Sequence, residues 1–591
     1  MDIQAKPGQI VFTNKARCRD CNRCVRVCPV KAIRVVRGQA SVEDHLCIAC
    51  GTCIRECPQG AKTFRNDVDR AARIVKAGGT VAASVAPSFA AVYTPWERKR
   101  LPSALRKLGF AHVEETAAGA YPVALRTAEL IAGSIADSHI CTACPAVVSY
   151  VERYRPDQVP MLTPVASPMI VHSRMLREKL GGNARVVFIG PCVTKKAEAE
   201  RKGNEGLIDC VITFRELAEW FAREGISLAE CEESGFDGEP AGDARFFPLE
   251  GGVMRTASLC TDLLQADVAF VSGFDEVSEA LDCAGKREHA MVVEPLFCPR
   301  GCINGPGIPE DRNIYERRQD LVAFASENPG SAGDDGKDYP FLGASFTAAP
   351  VSEHEDITEE RIRAALEKSG KMRPEDQLNC GACGYPSCRD KAIAVIRGMA
   401  EPEMCIPFMR RLAEQRTDRI IETSPNGIVI LDERLHILSM NPAFRKFFVC
   451  SEAVAGKHIS YLMDPDPFER IASGAEEILE LTVAHERYNL VCREILYPLR
   501  DEGQYVGIFV NITTSRESQE KLDRLREQTV TQARELLEHQ IGMAQEIAKY
   551  LGESTARGEA LVDNLLKLAL DTPDKEASRE KRFPWGTGTS K

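Results

Sequence analysis

The chain has 591 residues, 44% of them hydrophobic and 27% charged, which is room for about four domains and excludes a fibrous or wholly disordered chain. Its 75 basic and 86 acidic residues leave a net charge of −11, which offers no general attraction to nucleic acid or to an anionic membrane. No apolar run approaches the ~18 residues of a membrane helix and Met1–Ile10 carries no apolar signal segment, so a cytoplasmic chain is expected whose 23 cysteines bind metal.

The cysteines come in groups, and each group lies in a stretch of different texture. Eight lie between Cys18 and Cys57, nine between Cys141 and Cys302, and four between Cys380 and Cys405, with Cys450 and Cys492 alone. The first group reads Cys18-x2-Cys21-x2-Cys24-x3-Cys28-Pro29 and repeats as Cys47-x2-Cys50-x2-Cys53-x3-Cys57-Pro58. Two-residue spacers let successive thiolates converge on adjacent corners of a 4Fe-4S cubane, and the fourth thiolate of each run ligates the other cluster. One cluster is therefore expected on Cys18, Cys21, Cys24 and Cys57, the other on Cys47, Cys50, Cys53 and Cys28. The alternative, a pair of zinc ribbons, seldom carries four cysteines per run with a proline after the last. Residues 1–70 thus read as a ferredoxin-like two-cluster module, with His45 a surface or packing residue.

From residue 75 to 325 the texture is α/β. Apolar stretches such as Val81–Val85, Val186–Ile189 and Val268–Val271 alternate with amphipathic ones such as Ile170–Leu180 and Arg215–Arg223. Three cysteine motifs follow expected strands: Cys141-Thr-Ala-Cys144-Pro145, Gly190-Pro191-Cys192-Val-Thr-Lys195-Lys196, and Glu294-Pro-Leu-Phe-Cys298-Pro-Arg-Gly-Cys302-Ile-Asn-Gly-Pro-Gly307. Composition says only that four thiolates could meet at one more cluster. Cys210, Cys231 and Cys260 read as small buried hydrophobes.

The order and flanks of these motifs resemble the three signatures of the iron-iron (FeFe) hydrogenases, T-S-C-C-P, M-P-C-x-x-K and E-x-M-x-C-x-G-G-C-x-x-G-G. The resemblance extends through Val81–Phe89, Leu108–Thr116 and Gly251–Met254, and the upstream ferredoxin module fits the family. It implies an H-cluster, a 4Fe-4S cubane joined to a diiron unit with CO, cyanide and a dithiolate amine. The cubane would be held by Cys144, Cys192, Cys298 and Cys302, with Cys302 bridging to the diiron unit. Lys195 matches the lysine that hydrogen-bonds a cyanide ligand, a charge-assisted contact.

The departures from the family pattern are specific. Ala143 stands where catalytic members carry the cysteine that passes protons to the bridging amine, and a methyl group carries no proton. Leu125 and Arg126 stand at carboxylate positions, and Gly190 and Leu296 replace methionines that pack the diiron site. Glu250 is an added carboxylate expected near the cluster wall. With Cys141 or Cys283 it is expected to supply a slower proton route.

Residues 326–355, with the run E-N-P-G-S-A-G-D-D-G-K-D, read as a linker. Residues 356–414 follow, with an expected helix at Ile357–Glu367 and then Cys380-x2-Cys383-x4-Cys388 and Cys405, which resembles a small helical 4Fe-4S domain of electron-transfer chains; a zinc site is the alternative. Residues 415–514 resemble an α+β PAS sensor domain, on Arg419–Asp432, the Asn441-Pro-Ala443-Phe444 helix start and a closing strand–turn–strand at Tyr497–Thr513 around Asp501-Glu-Gly503. Its ligand is not legible. Residues 515–571 read as an amphipathic helix or coiled coil, and 572–591 as a disordered tail. No kinase nucleotide-binding segment is read after His539, so a phosphoacceptor role is not expected of it.

The whole is a multidomain α/β and α+β chain. The resemblance implies an H2-sensing hydrogenase of low activity. It would exchange H2, protons and electrons, with a ferredoxin-like redox partner or a downstream signalling protein. Maturation proteins would supply its centre, and the PAS and helical segments could pair two copies. A metabolic ferredoxin-dependent hydrogenase and a non-hydrogenase iron–sulfur electron-transfer protein are the alternatives.

Overall fold

The computed structural model describes residues 8–551 except 135, 260–266, 287–289, 310–311, 328–338, 340, 352–356, 475 and 500–501, together with 566–567. Side chains at 414–417 and 546–551 are not described. Cys260, Asp501 and the 572–591 tail therefore lie outside the described residues. The chain forms two compact units, residues 1–410 and 411–591.

In the first unit, the cysteine runs fold as loops around two short antiparallel strand pairs, Val11–Thr13 with Lys62–Phe64 and Ile33–Val36 with Gln39–Val42. The helical turns Arg23–Val27 and Thr52–Arg55 carry Cys24 and Cys53. Gly51, at φ 76°, enters the second turn where a Cβ would lie 2.5 Å from Pro306 Cγ, so only glycine lets the module approach the third cysteine motif.

Next comes a four-stranded parallel sheet, His112–Glu115, Val81–Val85, Arg185–Gly190 and Cys210–Thr213 in that spatial order. Val81–Val85 is buried along its whole length, because helices cover both faces of a parallel sheet and leave no polar side for alternation. A smaller parallel sheet orders Val268–Ser272, Val292–Leu296 and His139–Ile140. All three cysteine motifs begin at C-terminal strand ends, after Ile140, Gly190 and Leu296. Parallel strands gather these ends on one edge, where such folds place their sites.

The stretch expected as a linker is partly built into the core. Ala166 N–H donates to Leu342, Ala344 N–H to Pro164, and Ala349 and Val351 N–H to the carbonyls of Glu152 and Arg153. Phe341 and Phe346 anchor it against apolar clusters, a long-range packing that the Gly- and Asp-rich run beside it conceals. The small cysteine segment, with helices Glu359–Lys368 and Cys388–Ile396, also belongs to the first unit.

The second unit is a five-stranded antiparallel sheet in the order Ile437–Met440, Gly427–Leu431, Gln504–Asn511, Leu490–Leu499, Leu479–His485. Its core gathers Phe444, Phe448, Phe468 and Phe509. The helix Thr513–Leu551 follows, with Leu522, Leu525 and Leu536 exposed. Among the described residues no helix is long and apolar enough to cross a membrane.

Candidate metal centre

The three core motifs meet at one cavity of about 100 Å³. Cys144, Cys192, Cys298 and Cys302 line it, with Ala143, Lys195, Ser88, Thr116, Leu296 and Phe297. Cys144 caps the helix Pro145–Tyr154, whose proline at its first position starts the helix without losing a useful N–H. Cys298 and Cys302 flank a tight turn with Arg300 at φ 63° and Gly301 at φ 83°. A Cβ on Gly301 would lie 2.2 Å from the Pro248 carbonyl, and Cys302 N–H donates to that same oxygen at 2.8 Å.

The thiols are an expensive set to bury without cations. Burial pushes Cys192 up to about 11, with Cys144 adding to it. Burial raises Cys298 and Cys302 further, and each feels the other members of the group. Four sulfurs converging on one cavity suit iron, which takes thiolates and discharges their repulsion. The donor set therefore fits an iron–sulfur cluster. Among the described residues no three His, Cys, Asp or Glu side chains converge on a single-ion site.

Lys195, buried in the helix Thr194–Ala199, donates to Ser167 Oγ at 2.8 Å and Glu198 Oε2 at 2.7 Å. Glu198 escaped the sequence reading, although its i+3 spacing from Lys195 was a usable signal. At Gly190, a Cβ would fall 2.6 Å from Phe188 Cε1, so the Phe188 ring fills the space of a side chain there.

The expected proton groups are placed otherwise. Glu250 is exposed and outside the cavity lining, so the expectation that it stands near the cluster wall is corrected; Cys283, expected with it on a proton route, is exposed and outside the lining too. Glu250 precedes a helix start that turns its side chain to solvent, while Cys283 lies on an exposed position of the helix Phe274–Ala284. Cys141 is buried, but beside Glu294 and not on the cavity wall; burial and that carboxyl push its thiol well up. Cys210 and Cys231 are buried.

The ferredoxin-type cysteines lie in two neighbouring groups. Burial raises Cys24, Lys62 opposes, and Cys18, Cys21 and Cys57 add to the rise. Burial raises Cys53, reinforced by Cys28, Cys50 and Cys47. The last cysteine of each run thus faces the other run. Cys50 also lines the core cavity, so its group is the one next to the core. Cys380, Cys383, Cys388 and Cys405 surround a separate small cavity with Lys371 and Lys391.

Residues 79–306 match the family described as iron only hydrogenase large subunit, C-terminal domain. Residues 10–58 match a 4Fe-4S dicluster domain, 376–407 an Fe-S cluster family and 415–482 a PAS domain. The chain is 26% identical over 430 residues to the NADP-reducing hydrogenase subunit HndD of Solidesulfovibrio fructosivorans, covering 58% of this chain and 72% of that protein. A segment of 109 residues is 38% identical to the cytosolic Fe-S cluster assembly factor NAR1 of Vanderwaltozyma polyspora, covering 16% of this chain and 20% of that one. A variant of the FeFe-hydrogenase HydA1 from Chlamydomonas reinhardtii aligns at 21% identity and a TM-score of 0.41, over 48% of this chain and 99% of that chain.

Proposed function

We propose that this chain, which joins an iron-only hydrogenase large-subunit domain to a 4Fe-4S dicluster domain, an Fe-S domain and a PAS domain, is an H2-sensing hydrogenase of low turnover. The observation that carries this reading is Ala143 on the cavity wall beside Cys144, at the position where the resemblance calls for a proton-carrying thiol. In this reading Cys144, Cys192, Cys298 and Cys302 would hold the cubane of an H-cluster. When bound, that centre supplies reversible cleavage of H2 into protons and electrons.

Lys195 contributes a buried ammonium fixed by Ser167 and Glu198, suited to an anionic ligand in the cavity. Cys50 belongs at once to a ferredoxin thiol group and to the cavity wall, so electrons leave the core toward Cys28, Cys47, Cys50 and Cys53. The group at Cys380, Cys383, Cys388 and Cys405 is the third cluster. A signalling protein or a second copy meets the PAS segment and the helix Thr513–Leu551, whose exposed Leu522, Leu525 and Leu536 offer an apolar stripe.

The match to NAR1 favours a second reading, a non-hydrogenase iron–sulfur protein that keeps the cysteines without the diiron unit. Infrared spectra of the matured protein decide between them. CO and cyanide bands with slow steady-state H2 turnover are expected for a sensor; fast turnover would mark a metabolic hydrogenase, and absent bands the second reading.

A further inference from the structure

Three hydroxyl side chains line the cavity, Ser88, Thr116 and Thr194, all buried; Thr194 Oγ1 donates to the Ala49 carbonyl at 3.0 Å, and Ser88 Oγ has no hydrogen-bond partner. Behind Thr116 a line of polar side chains crosses an otherwise apolar layer. Thr116 Oγ1 lies 2.7 Å from Ser84 Oγ, and Ser84 Oγ lies 2.8 Å from His172 Nδ1. The other ring nitrogen, His172 Nε2, is buried without a hydrogen-bond partner, 3.7 Å from Glu114 Oε1. Glu114 Oε2 is 2.6 Å from His112 Nε2 and 3.0 Å from Lys179 Nζ. His112 Nδ1 lies 3.6 Å from Asp237 Oδ2, whose other oxygen accepts from Arg106 at 2.8 Å.

Exposure rises along this line. Ser84 and His172 are 0% exposed, Glu114 is 7% exposed, and the Asp237 and Lys179 side chains are 33% and 48% exposed. The line connects the cavity wall to the surface.

Packing alone does not explain these residues. A buried hydroxyl, imidazole or carboxylate is destabilising when a partner is missing, and apolar residues would fill the same space. Ser84 is the one hydroxyl in the strand Val81–Val85. His172 is admitted by Gly119, where a Cβ would lie 2.6 Å from His172 Cβ. Burial pushes Glu114 up, yet His112, His172 and Lys179 together hold its carboxyl well below the usual range, so it waits as an acceptor.

We propose that Thr116, Ser84, His172, Glu114 and His112 are the proton path between the core cavity and the surface, replacing the thiol absent at position 143. The path rests on the hydrogenase reading above. A proton leaving the cavity adds to Thr116 Oγ1, whose own proton moves to Ser84 Oγ, and Ser84 passes one to His172 Nδ1. His172 releases its Nε2 proton to Glu114 Oε1, the carboxyl turns to present that proton to His112, and His112, in its Nδ1–H tautomer, takes it on Nε2 and gives its Nδ1 proton to water. One proton enters, one leaves, and no electron moves along the line. Rotation of the hydroxyls and tautomer exchange of the imidazoles restore each group, and protons entering the cavity run the same steps in reverse. The 3.7 Å separation between His172 and Glu114 is the slow step, which closes only when a side chain swings.

The test uses the matured full-length protein and two substitutions, His172→Phe and the near-isosteric Thr116→Val, with Thr116→Ser as the rescue. The readout is infrared: after a step in pH without turnover, the CO and cyanide bands convert between protonation states at a rate set by proton delivery. Both substitutions are expected to slow that conversion about a hundredfold, with band positions at the start unchanged, while Thr116→Ser retains the wild-type rate. H2 turnover falls by a similar factor. Conversion at the wild-type rate in Thr116→Val overturns the path and leaves the hydrogenase reading standing. Absence of CO and cyanide bands from the wild-type protein overturns both.

Discussion

Lys31 Nζ donates to the carbonyl of Gly384 at 2.8 Å, across 353 residues of sequence. The same ammonium donates to the carbonyls of Val25 and Arg26, at 3.1 and 3.2 Å. It stands between Cys28 and Cys383, both of which act on it. The contact is one of several that dock the small cysteine segment on the ferredoxin module. Arg34 donates to Gly398 at 2.9 Å, Val35 N–H to Met399 at 2.9 Å, and Tyr385 is buried in the module's own apolar core. The third thiol group is thereby joined to the cysteine group that also reaches the core cavity, through Cys50.

A fixed cation between two thiol groups favours the reduced, more negative state of whatever they hold. Replacing Lys31 by Met is expected to lower the midpoint potentials of the two nearest clusters by roughly tens of millivolts, as the Coulomb scale for a partly buried charge requires. Lys31→Arg should stay near wild type. Redox titration followed by electron paramagnetic resonance measures this, and unchanged potentials in Lys31→Met would show that the ammonium only staples backbone.

Ala143 invites the opposite experiment, restoring a thiol. The positions where the resemblance calls for relay carboxylates hold none, because Leu125 is apolar and the exposed Arg126 pairs with Glu129 at 2.9 Å. Ala143→Cys alone is therefore expected to raise H2 oxidation by less than about tenfold, well short of the ~10²–10⁴ a complete general acid–base group provides. A hundredfold gain in the steady-state rate would mean that position 143 by itself limits proton supply.

Much of the centre was legible because thiolate spacing is local. The x2 spacers and the proline after each run encode tight loops. The motifs around Cys192 and Cys302 were legible by resemblance, and the strand ends that carry them by their β-branched runs. What local pattern could not hold was long-range partnership. Ser84 meets Thr116 and His172 across 32 and 88 residues, and no periodicity links them. Glu250 looked close to the site because it adjoins Gly251 in sequence, yet the turn there exposes it. The small cysteine segment read as a separate domain because its docking depends on single contacts such as Lys31 with Gly384.

In the second unit, the helix start read from Asn441-Pro-Ala443-Phe444 is a buried polar junction. Asn441 Oδ1 accepts from Ile428 and Phe444 N–H at 2.8 and 2.9 Å, and its amide donates to the Ile421 and Asn426 carbonyls at 3.0 and 2.8 Å. Asn441→Ala removes four side-chain hydrogen bonds from this junction, that to the buried Phe444 N–H among them, and is expected to cost about 3 kcal/mol. Urea unfolding followed by circular dichroism should show an earlier first transition. Asn441→Asp keeps only the two acceptor contacts and should fall between wild type and alanine; an alanine variant as stable as wild type would refute the capping account.

Glu294 links stability to pH. It is 2% exposed and accepts the Val253 and Met254 N–H groups at 3.1 and 3.2 Å, which ties the helix Gly252–Thr256 to the strand before the third cysteine motif. Burial outweighs these N–H groups and pushes its carboxyl up to about 7. The folded state then binds this proton more tightly than the unfolded chain does. Its contribution is complete below the ordinary value of 4.5 and is lost as pH rises through 7, a change of about 3 kcal/mol. Glu294→Gln removes the titration but leaves an amide N–H2 without a partner, at about 1 kcal/mol. The variant is therefore expected to unfold at lower denaturant than wild type at pH 5 and at equal or higher denaturant at pH 8. Anaerobic denaturation of the full chain at both pH values checks this, and parallel shifts at the two would show that Glu294 stays ionised throughout.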